Sequence, residues 1–238
     1  MRPLLVLLAY KLFKDDPETV VDQALAVEVF HNFTLVHDDI MDNAPLRRGK
    51  ATVHEKWDAN TAILSGDVMM VKAYDMLLDA PANLKLIVQD FNACAAGVCE
   101  GQQLDMNFER LATVDESAYI NMIRLKTAVL LGFSLKLGAM LAQSSKEDAK
   151  LLYDFGVSIG IGFQLKDDLL DVYGDQAKFG KQVGGDIISN KKTFLLLKAL
   201  ELANEDQKKQ LDYWLGLEKF DAVAKVEAVR TIYDAIGI

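Results

Sequence analysis

Two clusters of aspartate carry the most distinctive chemistry in this chain. Asp38-Asp39-Ile40-Met41-Asp42 and Asp167-Asp168-Leu169-Leu170-Asp171 share the form DDxxD. On a helix, positions i and i+4 lie one turn apart on one face. Asp38 therefore pairs with Asp42, and Asp167 with Asp171. Each cluster closes a strongly apolar helical stretch, where like charges repel and the negative end of the helix dipole adds to the repulsion. A lone copy reads as a solvated helix face. Two copies on apolar helices read as cation sites. All-oxygen ligands of this kind suit Mg²⁺, which keeps waters and bridges carboxylates to substrate phosphates.

Cationic and polar residues flank both clusters. Arg47-Arg48 follows the first, and a planar guanidinium fork suits phosphate, although such a pair alone reads equally as surface charge. Lys126-Thr127 lies within an apolar helical run, where an unpaired ammonium is costly unless its head snorkels to water. Gln164 precedes Asp167. Lys181 and Lys191 flank or occupy the glycine-rich stretch 174–190, which has four glycines and two lysines. That stretch fits a phosphate-facing loop or an ordinary interhelical connection, and its spacing is not that of a P-loop.

Long helices must position these groups. All four prolines fall at or before Pro81, leaving the remainder free for unbroken helices. Asp16-Pro17-Glu18 predicts a helix start, with the helix running to about Asp42. Thr113 to Glu116 reads as a capping box opening a helix towards Gln143. Ser145 to Asp148 opens another that ends near Gly174. Apolar residues recur at three and four, and strict alternation is rare, so the expected fold is all-α.

The 238 residues are 51% hydrophobic and 26% charged, enough for a large core, with a formal net charge of −9. That balance disfavours nucleic acid, whose phosphates need a surplus of Lys and Arg. Cys94 and Cys99 form no disulfide framework and fit a reducing cytoplasm. No stretch reaches the ~18 uninterrupted apolar residues of a membrane span. The run Leu4 to Ala9 reads as a buried first helix rather than a signal peptide.

Together these stretches resemble the trans-isoprenyl diphosphate synthases of the polyprenyl synthetase family. The resemblance is carried by Arg2 to Leu5, His31 to Asp42, Leu46 to Gly49, Gly101 to Asp105, Lys126-Thr127, Phe163 to Asp171, and Gly180-Lys181 through Asp186 to Lys191, in the family's order. It implies a single domain, 1–238, of antiparallel helices around a deep central cavity, the isoprenoid synthase fold, as a homodimer. It implies transfer of an allylic prenyl group (dimethylallyl, geranyl or farnesyl) from its diphosphate to isopentenyl diphosphate, with Mg²⁺.

Site roles follow from the same resemblance. Asp38, Asp42 and Asp167, with Asp171 as a weaker candidate and Asp105 as nearby support, match the metal ligands. Arg47, Lys126, Thr127, Gln164, Lys181 and Lys191 match groups around the allylic diphosphate. Arg2, His31 and Arg48 match the isopentenyl diphosphate site. His31 alone would read as a hydrogen-bonded core histidine. The family's basic segment before Arg-Pro has no counterpart here, so the expected domain lacks N-terminal helices and a C-terminal end.

Product length falls to the helix carrying Asp38. At 1.5 Å per residue, Thr34 lies ~6 Å below Asp38, Phe33 ~7.5 Å and Phe30 ~12 Å. A small residue under the carboxylates with two rings deeper implies, by the same resemblance, a geranylgeranyl product, with farnesyl as the alternative. Both rings could instead be plain core. A class I terpene cyclase shares one DDxxD but has an Asn/Ser/Glu second motif. A di-iron bundle needs two Glu-x-x-His motifs, and only Glu28 to His31 supplies one. A non-catalytic partner subunit would lack intact DDxxD runs.

Overall fold

The computed structural model describes residues 1–111, 113–174 and 184–238. Among them the chain is helical apart from one two-stranded hairpin of minimal length. It divides into two compact units, Met1–Cys99 with Ala128–Gly160, and Glu100–Thr127 with Ile161–Ile238.

In the first unit, α1 (Arg2–Lys11) packs on α7 (Val129–Leu141) and on α2 (Val21–Met41), and α2 packs along α4 (Ala59–Leu78). The core is Val6, Tyr10, Val27, Phe30, Leu77, Ile87, Phe91, Phe133 and Leu137, each almost wholly buried. α1 lies close against α7 because Gly138 has no side chain; a Cβ there would overlap the Val6 carbonyl. The predicted start at Asp16 is a short 3₁₀ turn, Pro17–Val20, leading into α2. Asp16 does not cap that helix through its side chain. Its carboxylate takes the Tyr10 hydroxyl at 3.0 Å. α2 ends at Met41, as expected, with Asp42 at the C-cap.

Between α2 and α3 (Val53–Lys56) stands a hairpin that periodicity did not reveal. Leu46–Arg47 pairs with Lys50–Ala51. Its two turn residues, Arg48 (φ 53°) and Gly49 (φ 75°), are both left-handed, the requirement of the tight turn that matches strand twist. Glycine adopts this freely; arginine does so at a cost of about 1 kcal/mol or more.

α5 (Leu84–Arg110) and α8 (Lys146–Tyr173) contribute to both units. α8 opens as predicted: Ser145 Oγ accepts from the Asp148 amide at 3.0 Å and donates back to its carboxylate at 2.7 Å. In the second unit, α6 (Glu116–Ile123) is capped by Asp115, whose carboxylate accepts from the Ala118 amide at 2.7 Å. The cap therefore sits two residues beyond the predicted Thr113. The helical path continues through a π turn, Arg124–Ala128, into α7. Within Glu116–Leu141 an 18-residue window has a mean hydropathy of 1.2, sufficient for a membrane span by length and composition, but 67% of that window is buried as core.

The rest of this unit is α9 (Gly185–Ile188), α10 (Phe194–Leu202), α11 (Glu205–Gly216) and α12 (Ala222–Ile236). A reciprocal Asn204–Gln207 capping box starts α11, and Asp221 caps α12. One apolar cluster joins Ile187, Leu195, Leu211, Val229 and Tyr233, and another joins Phe108, Tyr119, Met122, Ile123 and Leu197.

Candidate active site

Within the first DDxxD, the three carboxylates have separate fates. Asp38 sits in the last turn of α2 and Asp42 caps it, with the Asp42 amide on the Asp38 carbonyl at 2.9 Å. These two flank the helix end one turn apart. Asp39 turns inward and is buried. There it accepts Arg47 Nε at 2.8 and 2.9 Å and Arg47 Nη2 at 2.7 Å. The same Nη2 stands 3.6 Å from Asp38 Oδ2. Asp39 thus clamps the hairpin strand and aims the Arg47 guanidinium along the carboxylate face. The bond to Asp39 raises the Arg47 pKa further, so the group stays charged.

Behind this face lies a basic cluster. Arg2, Arg47 and Arg48 all raise the potential at His31. Burial first, then these arginines, hold its imidazole down at about 3, so it is neutral near pH 7. Arg2 is largely desolvated, with Glu28 as its compensating charge; burial lowers its pKa. The Nε of Arg2 and Oε2 of Glu28 are buried without a hydrogen-bond partner among the described residues. A concentration of cationic groups around a neutral histidine is what a diphosphate would find favourable. Deeper along α2, Thr34 Oγ1 bonds the His31 carbonyl at 2.8 Å. Phe33 stacks edge-on with His37 at 4.8 Å and lies 5.7 Å from Phe30. Phe30 is fully buried against Phe91, ring centroids 5.0 Å apart.

The second DDxxD repeats the division. Asp168 turns inward and is buried, held by the Tyr119 hydroxyl, by Gln164 Nε2 at 3.2 Å and by the Phe194 amide at 3.5 Å. Burial raises its pKa despite those bonds. Asp167 is exposed. Asp171 Oδ2 accepts the Asp186 amide at 3.0 Å, so it caps α9. Asp186 thereby joins the carboxylate group. Burial, reinforced by Asp171, Asp168 and Asp167 and opposed by Lys191, lifts its pKa to about 6.

Lys126 and Lys191 converge on one counterion. Asp105 Oδ2 lies 2.7 Å from Lys126 Nζ and 3.9 Å from Lys191 Nζ. Burial pushes the Asp105 pKa up, but the two lysines outweigh it, and the carboxyl ends below its ordinary value. Lys126 is therefore not an unpaired ammonium. It stands on the π turn, a distortion of the helical ladder frequent at functional sites. Gly101 of α5 makes room for that turn: any Cβ there would overlap the Lys126 backbone nitrogen. Thr127, on the same turn, donates to Gln164 Oε1 at 3.3 Å. The chain Thr127, Gln164, Asp168, Tyr119 ties the expected polar residues into one network. Lys181 and the glycines beside it lie outside the described residues.

Sequence reasoning missed three participants, Asp39 and Asp168 as inward anchors and Tyr119, and it placed Asp105 beside the metal ligands where the structure pairs it with the two lysines. The middle position of each DDxxD was the available signal, since it lies off the i, i+4 face. Among the described residues no three acidic, His or Cys side chains form a ready-made metal cage. The donor set nevertheless suits Mg²⁺, which is usually held by one or two carboxylates with substrate phosphates and water completing the shell.

Known proteins are similar to this chain in sequence and fold. The profile of the polyprenyl synthetase family matches residues 1–233. A short chain isoprenyl diphosphate synthase of Methanocaldococcus jannaschii is 41% identical over 238 residues, covering 99% of this chain and 72% of the relative. A geranylgeranyl diphosphate synthase of Saccharolobus solfataricus is 39% identical over 247 residues, covering 98% and 74%. The crystal structure of a geranylgeranyl pyrophosphate synthetase from Pyrococcus horikoshii matches at a TM-score of 0.93 and 35% identity, covering 100% of this chain and 72% of that one. The fold is the all-α isoprenoid synthase fold, and the class is that of prenyl-transferring enzymes. The chain belongs to the polyprenyl synthetase family.

Proposed function

We propose that the chain condenses isopentenyl diphosphate with an allylic diphosphate to give geranylgeranyl diphosphate. The observation that carries this reading is the repeated division of the DDxxD clusters. In each, the middle carboxylate is buried in anchoring contacts, and the outer two lie a turn apart on one face. Asp38, Asp42, Asp167 and Asp171 would hold Mg²⁺, which when bound neutralises charge growing on the departing diphosphate.

Arg47, Lys126 and Lys191, with Lys181, bind and orient the allylic diphosphate; Arg2, Arg48 and neutral His31 bind isopentenyl diphosphate. As the allylic C–O bond breaks, its electron pair leaves with diphosphate, and fixed cations stabilise that charge at little reorganisation cost. The alkene of isopentenyl diphosphate forms the new C–C bond to the allylic carbon. A proton is then lost, with the released diphosphate as its acceptor. The Thr127 hydroxyl and Gln164 amide offer oxygen dipoles to the cation, and apolar walls keep water from quenching it.

Relatives named as geranylgeranyl diphosphate synthases support the twenty-carbon product. We assign Thr34, Phe33 and Phe30 to its length, with farnesyl diphosphate as the alternative product. Exposed Leu64, Val68 and Val71 form an apolar stripe on α4, which supports a homodimer, and the protein is assigned to the cytoplasm as one catalytic domain. Incubating the protein with labelled isopentenyl diphosphate, farnesyl diphosphate and Mg²⁺ tests the reading. A labelled twenty-carbon diphosphate that vanishes with EDTA supports it; metal-independent turnover or a cyclised hydrocarbon refutes it.

A further inference from the structure

Lys225 is a fully buried lysine in α12. Its ammonium donates to Asn190 Oδ1 at 2.6 Å, reaches the Ile188 carbonyl at 3.5 Å and stands 4.0 Å over the Phe220 ring. No carboxylate forms an ion pair with it among the described residues. A buried cation compensated only by dipoles and a ring is costly, and burial lowers its pKa accordingly. An apolar side chain would fill the same space without that cost.

What the lysine secures is Asn190. Lysine can only donate, so the Asn190 amide must present its oxygen to Lys225, which leaves Nδ2 to donate to the Leu215 carbonyl at 2.9 Å. Both ends of the amide are thereby fixed. Asn190 itself is left-handed, φ 56°. It forms the turn after α9, where the next amide, that of Lys191, bonds back to the Asp186 carbonyl at 2.9 Å. That turn sets where the Lys191 side chain leaves the backbone, on the side where Asp105 receives it.

We infer that Lys225, through Asn190, is a positioning residue that holds the turn from which Lys191 engages the allylic diphosphate. The inference rests on the role given above to Lys191. Lys225 touches no substrate. It fixes the backbone from which a substrate-binding ammonium projects, and a long flexible lysine gains most from such a fixed origin.

Steady-state kinetics with geranyl diphosphate as the varied substrate, at saturating isopentenyl diphosphate, test it in four variants. Lys191→Ala examines the underlying role. Lys225→Met and Asn190→Gly each remove one end of the strut, and glycine still accepts the positive φ. Each is expected to raise KM for geranyl diphosphate about tenfold, the scale of losing a hydrogen bond to a charged group. KM for isopentenyl diphosphate should stay near wild type in each, and Asn190→Gly, which strands the buried ammonium, should also lower the unfolding temperature. The double variant should also lose about tenfold rather than a hundredfold, because both changes break one interaction. If Lys191→Ala raises KM while Lys225→Met and Asn190→Gly do not, or if their losses multiply, the positioning role is wrong. If Lys191→Ala leaves KM unchanged, the assignment of Lys191 fails first and the inference falls with it. Should Lys225→Met not fold, Asn190→Gly alone decides by the same criterion.

Discussion

Asp39→Ala separates an anchoring carboxylate from the proposed metal-ligand carboxylates within a single five-residue motif. The carboxylate is buried and accepts Arg47 Nε at 2.8 and 2.9 Å and Nη2 at 2.7 Å. Breaking a fully buried ion pair by removing one partner costs about 3–5 kcal/mol. Arg47 is not fully buried, its side chain being 35% exposed, so water can take over part of its solvation. We expect about 2 kcal/mol for Asp39→Ala, a fall in Tm of roughly 4–8 °C for a protein of this size. Arg47→Ala should cost more, about 3 kcal/mol, because it strands the deeper partner in the interior. The double variant should recover part of the sum, with a coupling of about 1.5 kcal/mol. Thermal and urea unfolding of the three variants measure all of these. Asp38→Ala serves as the contrast: it removes one of several repelling charges, so Tm should hold or rise while turnover collapses. An unchanged Tm for Asp39→Ala, or strictly additive single losses, would refute the anchoring argument. Equal loss of activity and retained stability in Asp39→Ala and Asp38→Ala would make Asp39 a ligand like its neighbours.

Turnover should fall by about a hundredfold or more in both Asp38→Ala and Asp167→Ala, the scale of removing one electrostatic stabiliser; near-normal rates in either would remove that aspartate from the metal set. Phe33→Ala should lengthen the product seen by chromatography and Thr34→Phe should shorten it. Adding Phe30→Ala should lengthen it further while costing about 3–5 kcal/mol of stability, since that ring is fully buried; an identical product from every variant would place the floor elsewhere. His31 gives a pH signature. Its folded pKa of about 3 lies below the ordinary 6.5, so the unfolded chain binds the proton first. The stability it contributes is complete above about pH 6.5 and is lost as pH falls towards 3. At pH 5 the ideal loss is about 2 kcal/mol, halved to about 1 because the ring is partly solvated. His31→Gln should remove that portion of the acid slope in urea titrations at pH 7 and 5; an unchanged slope would mean His31 titrates normally.

The sequence makes the outer aspartates legible because their relation is local. Spacing i, i+4 fixes a shared helix face before any tertiary contact exists, and the same locality made the Ser145–Asp148 cap readable. The middle aspartates are different. Asp39 acquires its meaning from Arg47, brought back by a hairpin whose strands are two residues long, too short for alternation to register. Its signal was Arg48-Gly49 itself, a left-handed pair of the kind such turns require. Asp168 depends on Tyr119, 49 positions away in sequence, and nothing near either residue announces the other. The cap of α6 was misread by two positions because Thr113 and Asp115 both suit an N-cap, and only geometry chooses Asp115. Lys126 shows the limit most clearly. Its cost in an apolar run was evident from sequence, and so was the need for compensation. The compensation, a π turn against Gly101 and a carboxylate shared with Lys191, is a property of packed helices, written in residues that lie 21 and 65 positions from one another and meet only once the chain has folded.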